Sequence, residues 1–469
     1  MKEELALVAF LRLNYHIARD TITTKSALEL VKLASTNAQS LIPSRRVLVL
    51  ISLVACFAYY IHQPVPDGVM GPDRQTIQLM SNIYRLLGLS TKFCNFLGST
   101  SCFVTAMRLQ TQIWLWIAPN PRSPEIEMYD TKIAGVPVRI YAPIPQLRLG
   151  QGILVYAHGG GWFLGDLDLC HAETYEIAKR IRKLVVSVDY RMSPEHKFPA
   201  PLEDFELVVR TLLRSYRIAD RWYYNPYELA IAGVSSGGNL AASAAQRITA
   251  QPEQIPIKLK FLIYPVLQMN NFQLPSYKQG HSYIDTGMLN PRQMAEVFLI
   301  YLGLPISYKN ILLANAHVHP ELTSYPEYGF LNVSNLPDHY HHSPINISIE
   351  NHSATQSLVE IEQQLVDEHS DSEIGLVQNF LKPFVLNPDL NPVLRQNLTG
   401  LPHTYLITAG YDVLRDECSI YAQRLKDAGV RVDWRHYENA NHGVFSIFSL
   451  EYGARMLDDF AEFTRQHLR

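Results

Sequence analysis

The chain has 469 residues, 47% of them hydrophobic and 18% charged, with a formal net charge of −3. That length exceeds a usual one-core domain and implies appended segments, while the apolar fraction is ample for a large core. A near-balanced charge, with no basic run interleaved with aromatics, argues against a nucleic-acid partner.

Residues 1–44 show amphipathic helical spacing (Leu5, Phe10, Leu11, Leu13, Ile17) and carry no recognisable chemistry. The following run, Val47 to Ile61, has no charged residue over fifteen positions. A bilayer crossing needs about twenty apolar residues, so flanking groups must extend it. Arg45 and Arg46 can snorkel at one end, and Tyr59 and Tyr60 suit the interface at the other. The next basic residue is Arg74, beyond Asp67 and Asp73, an asymmetry that leaves the N-terminus in the cytosol. The expectation is a cytosolic segment over 1–44, a signal-anchor transmembrane helix over 45–63, a cap or linker over 64–125 and a lumenal catalytic domain over 126–469. The competing readings of 47–61 are a cleaved signal peptide, for which no small-x-small site follows, and a buried core helix.

Two glycine clusters each follow a strand-like apolar run. Ile153-Leu154-Val155-Tyr156-Ala157 leads into His158-Gly159-Gly160-Gly161, and Leu229-Ala230-Ile231-Ala232 leads into Gly233-Val234-Ser235-Ser236-Gly237. The second fits G-x-S-x-G, in which a strand turns sharply into a helix and presents a serine hydroxyl. The register selects Ser235, because Ser236 would need glycine at position 234, where Val234 stands. The first cluster leaves backbone N–H groups unobstructed, so Gly159, Gly160 and Ser236 are expected to donate into an oxyanion hole. Neither cluster fits a phosphate-binding pattern, and no cofactor is expected.

From 272 to 400 the alternation of strand and helix is interrupted for too long to be a simple connection, which predicts a lid-like insertion. Asn332, Asn346, Asn351 and Asn397 head glycosylation sequons, clustered as a lumenal face would have them. His339, His341 and His342 lie beside Asp338 in a Pro- and Asn-rich stretch without ordered ligand spacing, so no metal is expected. Of the five cysteines, Cys56 falls in the anchor, and a disulfide is permitted among Cys94, Cys102, Cys170 and Cys418 without a choice of partners.

A serine nucleophile needs a histidine base oriented by a carboxylate, in the chain order Ser, Asp or Glu, His. A strand at Thr404–Thr408 ends near Asp412. A helix then runs from about Asp416 to Gly429, and a strand from Val432 to Tyr437 leads to His442. Asp412 and His442 thus fall at strand ends, where such sheets carry chemistry. Asp416 competes as a carboxylate and reads better as an early-helix acid; His436 competes as a base and reads better as a strand residue.

With these residues in view, the chain resembles the arylacetamide deacetylase family, in the hormone-sensitive-lipase group of α/β-hydrolases. The resembling blocks are His158–Trp162, Asp189–Pro199, Ser235–Leu240 and Asp412–Glu417, together with Tyr59–Ile61 and Pro64–Asp67 near the anchor's exit. The resemblance implies an α/β-hydrolase fold with a mostly parallel central sheet flanked by helices, a cap or lid, and an N-terminal membrane anchor. It also implies a single-pass type II protein of the endoplasmic reticulum membrane that cleaves a small ester, amide or acylglycerol. The family usually has an acidic residue just before the nucleophile. Val234 replaces it here, which implies fewer polar contacts at the elbow and slower hydrolysis. The alternative is a hydrolase-fold binding protein without catalysis, and the presence of Ser235, Asp412 and His442 together favours the enzyme.

Overall fold

Four short runs, β3 (Ile153–Ala157), β4 (Leu184–Val188), β5 (Leu229–Val234) and β6 (Leu259–Ile263), are buried at every position. That is the pattern of parallel strands covered by helices on both faces. The computed structural model describes residues 65–66, 68–69, 73–117, 120–251, 255–283, 288–337 and 369–469. Within these, β1 (Ile126–Ile133), β2 (Val136–Pro143), β7 (His403–Tyr411) and β8 (Val432–Asn441) complete an eight-stranded sheet of order β1-β2-β4-β3-β5-β6-β7-β8. The pairs from β4 through β8 are parallel, and β1 and β2 form an antiparallel edge. The β1–β2 turn is Ala134-Gly135, with φ of +50° and +89°, the left-handed pair that a two-residue hairpin requires.

Alternate side chains of each strand feed two cores. Ile153, Val155 and Ala157 face a core shared with helices α4 (Ala200–Arg214), α6 (Ser236–Thr249) and α11 (Arg415–Asp427). Leu154 and Tyr156 face the other, with α3 (His171–Ile181) and α12 (Glu451–His467). Two additions lie at the C-terminal edge of the parallel strands. One is a helical hairpin, α1 (Arg74–Phe96) and α2 (Thr100–Ile117), closed by a Cys94–Cys102 disulfide; Cys170 and Cys418 are buried free thiols.

The other addition is the stretch between β6 and β7. It holds α7 (Pro275–Gly280), α8 (Pro291–Leu302), α9 (Lys309–Leu313) and α10 (Asp371–Val385). The helix α5 (Tyr216–Trp222) lies between α4 and β5. Helix α8 begins at a capping box of Asn290 and Gln293 and ends at Gly303 with φ +84°, so both termini are encoded locally.

Residues 63–469 form one compact unit. The expected cytosolic segment 1–44 and anchor 45–63 lie outside the described residues, as do His339, His341, His342, Asp338, Asn346 and Asn351. Among the described residues no helix is long and apolar enough to cross a membrane, and no cluster of His, Cys, Asp and Glu could hold a metal ion. Strand β8 extends to Asn441, four residues beyond the expected end, because its pairing with β7 resumes at Tyr411–Asn441 after an irregularity at Ala409/Tyr411. At that irregularity a Cβ on Gly410 would lie 1.9 Å from the Glu438 carbonyl, so the close approach admits only glycine.

Candidate active site

Strand β5 delivers Ser235 at φ +55°, ψ −118°, a conformation that non-glycine residues adopt only when the surroundings hold them there. The holding contacts are visible. Ser235 N–H donates to the Ile263 carbonyl at 2.9 Å, and its carbonyl accepts from Val266 N–H at 3.1 Å, tying the turn to the end of β6. The flanking glycines are steric necessities: a Cβ at 233 would sit 2.0 Å from the Gly237 carbonyl oxygen, and one at 237 would sit 2.2 Å from that of Ala157. Helix α6 starts immediately at Ser236, so its first N–H groups point toward the serine.

Three expected residues meet here. The Ser235 hydroxyl donates to His442 Nε2 at 3.0 Å, and His442 Nδ1–H donates to Asp412 Oδ2 at 2.8 Å. Asp412 is fully buried, and its other carboxylate oxygen accepts from Leu414 N–H at 2.9 Å, which fixes the side chain against the imidazole. The two competitors lie elsewhere. Asp416 is in the first turn of α11, as its early-helix reading expects, but it is buried and bonded to the Arg415 guanidinium and to Ser276 N–H. His436 Nδ1 pairs with Thr408 Oγ1 within the β7–β8 ladder.

The His158–Gly161 loop lies beside the serine. A Cβ on Gly159 would stand 3.4 Å from Ser235 Cβ, and one on Gly160, at φ +113°, would strike the Leu164 carbonyl at 2.2 Å. Among the described residues, the N–H groups of Gly159 and Gly160 have no hydrogen-bond partner. His158 shapes the loop from below, stacking on Tyr190 at 4.3 Å while its carbonyl accepts from the Tyr190 hydroxyl at 2.8 Å. Burial lowers the His158 pKa, keeping the imidazole neutral beneath a site that will carry negative charge.

Supporting residues escaped the sequence reading. Tyr264, at φ +33° just after β6, lays its ring 4.5 Å from the His442 ring, and its hydroxyl accepts from Phe445 N–H in the histidine loop. Its position at a strand end beside the elbow was the available signal. Glu173 of α3 accepts from the Tyr156 hydroxyl beneath the same loop, and burial raises its pKa. Glu417 accepts from Leu267 N–H and Gln268 Nε2, and burial pushes its pKa up to about 8. With Asp416 it fastens the segment after Asp412 to the start of the insertion. Arg108 of α2 donates to the Phe163 and Ser193 carbonyls and makes a bidentate pair with Glu195, joining the hairpin to the loop that carries Gly159 and Gly160. Trp162 stacks on Tyr301 of α8 at 4.1 Å, so the insertion packs on the same loop.

Val234 is 4% exposed and packs in the apolar cluster with Tyr156, Ile263 and Tyr264, so the elbow there is held by packing. Asn332 and Asn397 are exposed, and each side-chain carbonyl accepts the N–H of the sequon's third residue, Ser334 and Thr399.

The chain as a whole is similar to known proteins. A family model described as the alpha/beta hydrolase fold matches residues 154–328 and 350–446. Arylacetamide deacetylase of Bos taurus is 30% identical over 417 residues, covering 88% of this chain and 96% of its own length. Neutral cholesterol ester hydrolase 1 of Mus musculus is 27% identical, covering 89% and 98%. Among solved structures, the hyperthermophilic esterase of the archaeon Pyrobaculum calidifontis superposes with a TM-score of 0.59 at 23% identity, covering 85% of this chain and 98% of that one. The chain belongs to the α/β-hydrolase family, in the group that contains the arylacetamide deacetylases.

Proposed function

We propose that the protein is a serine hydrolase of carboxylic esters or amides working through an acyl-enzyme. The observation that carries this reading is the unbroken line from the Ser235 hydroxyl to His442 at 3.0 Å and from His442 to Asp412 at 2.8 Å. His442 Nε2 takes the serine proton as Oγ attacks the acyl carbon, then returns it to the departing alcohol or amine. Asp412 keeps Nδ1 protonated, so Nε2 faces the serine as a base, and it stabilises the imidazolium that forms. The N–H groups of Gly159, Gly160 and Ser236 receive the tetrahedral oxyanion. Water, activated by the same histidine, then cleaves the acyl-enzyme. No step calls for a metal or an organic cofactor.

The names of the relatives put amide deacetylation and cholesterol-ester hydrolysis among the candidate reactions. The insertion and the α1–α2 hairpin would bound the acyl site and set chain-length preference. The membrane reading is a type II anchor over 45–63 with a catalytic domain in the lumen of the endoplasmic reticulum, glycosylated at Asn332, Asn346, Asn351 and Asn397. Support comes from the uncharged run with its preceding arginines and from the exposure of Asn332 and Asn397. A series of p-nitrophenyl esters of increasing chain length tests the activity. Turnover that rises above background for at least one member and disappears in Ser235→Ala supports the reading. Absence of turnover across esters and acetanilides favours a binding protein without catalysis.

A further inference from the structure

Helix α1 is amphipathic in the wrong sense for a helix that faces water. Its outward residues Leu79, Ile83, Leu86, Leu89, Phe93 and Phe96 recur at spacings of three or four, one stripe along the cylinder. Its buried face includes Ser81 and Arg85. The apolar stripe is not marginally exposed: Leu79 is 60%, Phe93 61% and Phe96 86% accessible. Leu97, just past the helix, is also exposed, as are Leu109 and Ile113 of α2. Single surface leucines need no explanation, but a contiguous apolar stripe of this length marks an interaction surface.

We propose that this α1–α2 face docks on a lipid bilayer, with Phe93, Phe96 and Leu97 inserted among the acyl chains. Charge favours lipid as the occupant. From 74 to 117 the sequence contains no Asp or Glu, and Lys92 is exposed beside Phe93. An apolar face that is free of carboxylates and carries exposed lysine suits phosphate headgroups and the chains below them. Exposure is highest, at 86%, for Phe96, the last residue of α1 at the hairpin's turn.

The Cys94–Cys102 disulfide braces that turn, and Thr100 Oγ1 and Asn95 Nδ2 bond it to Ile306 N–H and Glu296 of the insertion. Sequence position adds another argument, which rests on the anchor proposed above. The uncharged run ends thirteen positions before Arg74, a span of at most about 45 Å of extended chain. Through Arg108 the docked hairpin is bonded directly to the loop bearing Gly159 and Gly160. The consequence is a site that receives substrate from the bilayer.

The full-length protein is reconstituted in phosphatidylcholine vesicles containing a diazirine-bearing acyl chain, irradiated, digested and mapped by mass spectrometry. Lipid adducts are expected on the peptides holding Phe93–Leu97 and Leu109–Ile113, and none on the exposed tyrosines Tyr216, Tyr223 and Tyr227. A Phe93→Gln/Phe96→Gln/Leu97→Gln variant, altered only at exposed positions, should lose hairpin adducts by about tenfold. It should keep normal turnover of water-soluble p-nitrophenyl acetate and hydrolyse a vesicle-embedded ester more slowly. A hairpin free of lipid adducts overturns the proposal, as does protection of the hairpin by a second copy or by residues 1–62. Adducts at 47–61 report the anchor separately, so adducts there without adducts on the hairpin refute this inference alone.

Discussion

Gly160 is the residue whose role can be separated most cleanly from the nucleophile's. Its φ of +113° and the 2.2 Å approach to the Leu164 carbonyl mean that Gly160→Ala must displace the loop. One misplaced oxyanion donor costs about 10²–10³ in kcat, so the variant should retain substrate affinity, with KM little changed, while kcat falls by that order. Steady-state kinetics on a short-chain ester check it. Val234 gives a prediction of the opposite kind. The family pattern suggests that Val234→Asp would add polar support and speed hydrolysis, but Val234 is buried among apolar side chains. A carboxylate there lacks solvent, so Val234→Asp should lose about 2–4 kcal/mol of stability with no gain in kcat. Thermal melts beside initial rates would show which outcome holds.

The principal residues were readable because their constraints are local or ordinal. Glycines at both flanks singled out Ser235, and chain order and strand ends singled out Asp412 and His442. Tyr264, Glu173, Glu417 and Arg108 were not readable. Tyr264, Glu417 and Arg108 reach partners more than fifty positions away, Glu173 reaches Tyr156 from a neighbouring element, and no spacing rule announces such contacts.

Elements differ in how much of themselves the sequence carries. Strands β3, β5 and β7 were legible as apolar runs ending at chemistry-bearing loops. The β1–β2 hairpin was not, because Ala134-Gly135 is a weak turn signal and the exposed positions of β1 blur its alternation. The disulfide was open for the same kind of reason, since pairing depends on how α1 and α2 turn back on each other. Strand β6 holds an element-level oddity, Lys260, which is fully buried with its ammonium 3.3 Å from the Tyr421 hydroxyl.

Burial lowers the Lys260 pKa to about 7, whereas an unfolded lysine stays protonated to about pH 10. Between those values the native state binds fewer protons than the unfolded chain, so stability rises with pH and is lost as pH falls toward 7. Lys260→Met should therefore raise stability at pH 7 by about 2–4 kcal/mol and flatten its dependence between pH 7 and 9. Denaturant midpoints at those two pH values are the measurement. A variant less stable than the parent, or with an unchanged pH slope, would show that the lysine is held charged.

At the scale of the whole molecule, the proposed topology puts the sheet, the elbow and all four sequons on one side of a membrane. Alkaline carbonate should leave the protein in the pellet, and endoglycosidase H should lower its apparent mass, with Asn332→Gln and Asn397→Gln each removing part of the shift. A protein released by carbonate and unaffected by the glycosidase would recast 47–61 as a buried helix. The central claim is chemical, and it is tested in the same membranes with a fluorophosphonate probe followed by peptide mapping. A single covalent adduct is expected, on Ser235, absent in Ser235→Ala and strongly reduced in His442→Ala. Adduct that persists in Ser235→Ala, or a wild-type protein that never reacts, would contradict that claim.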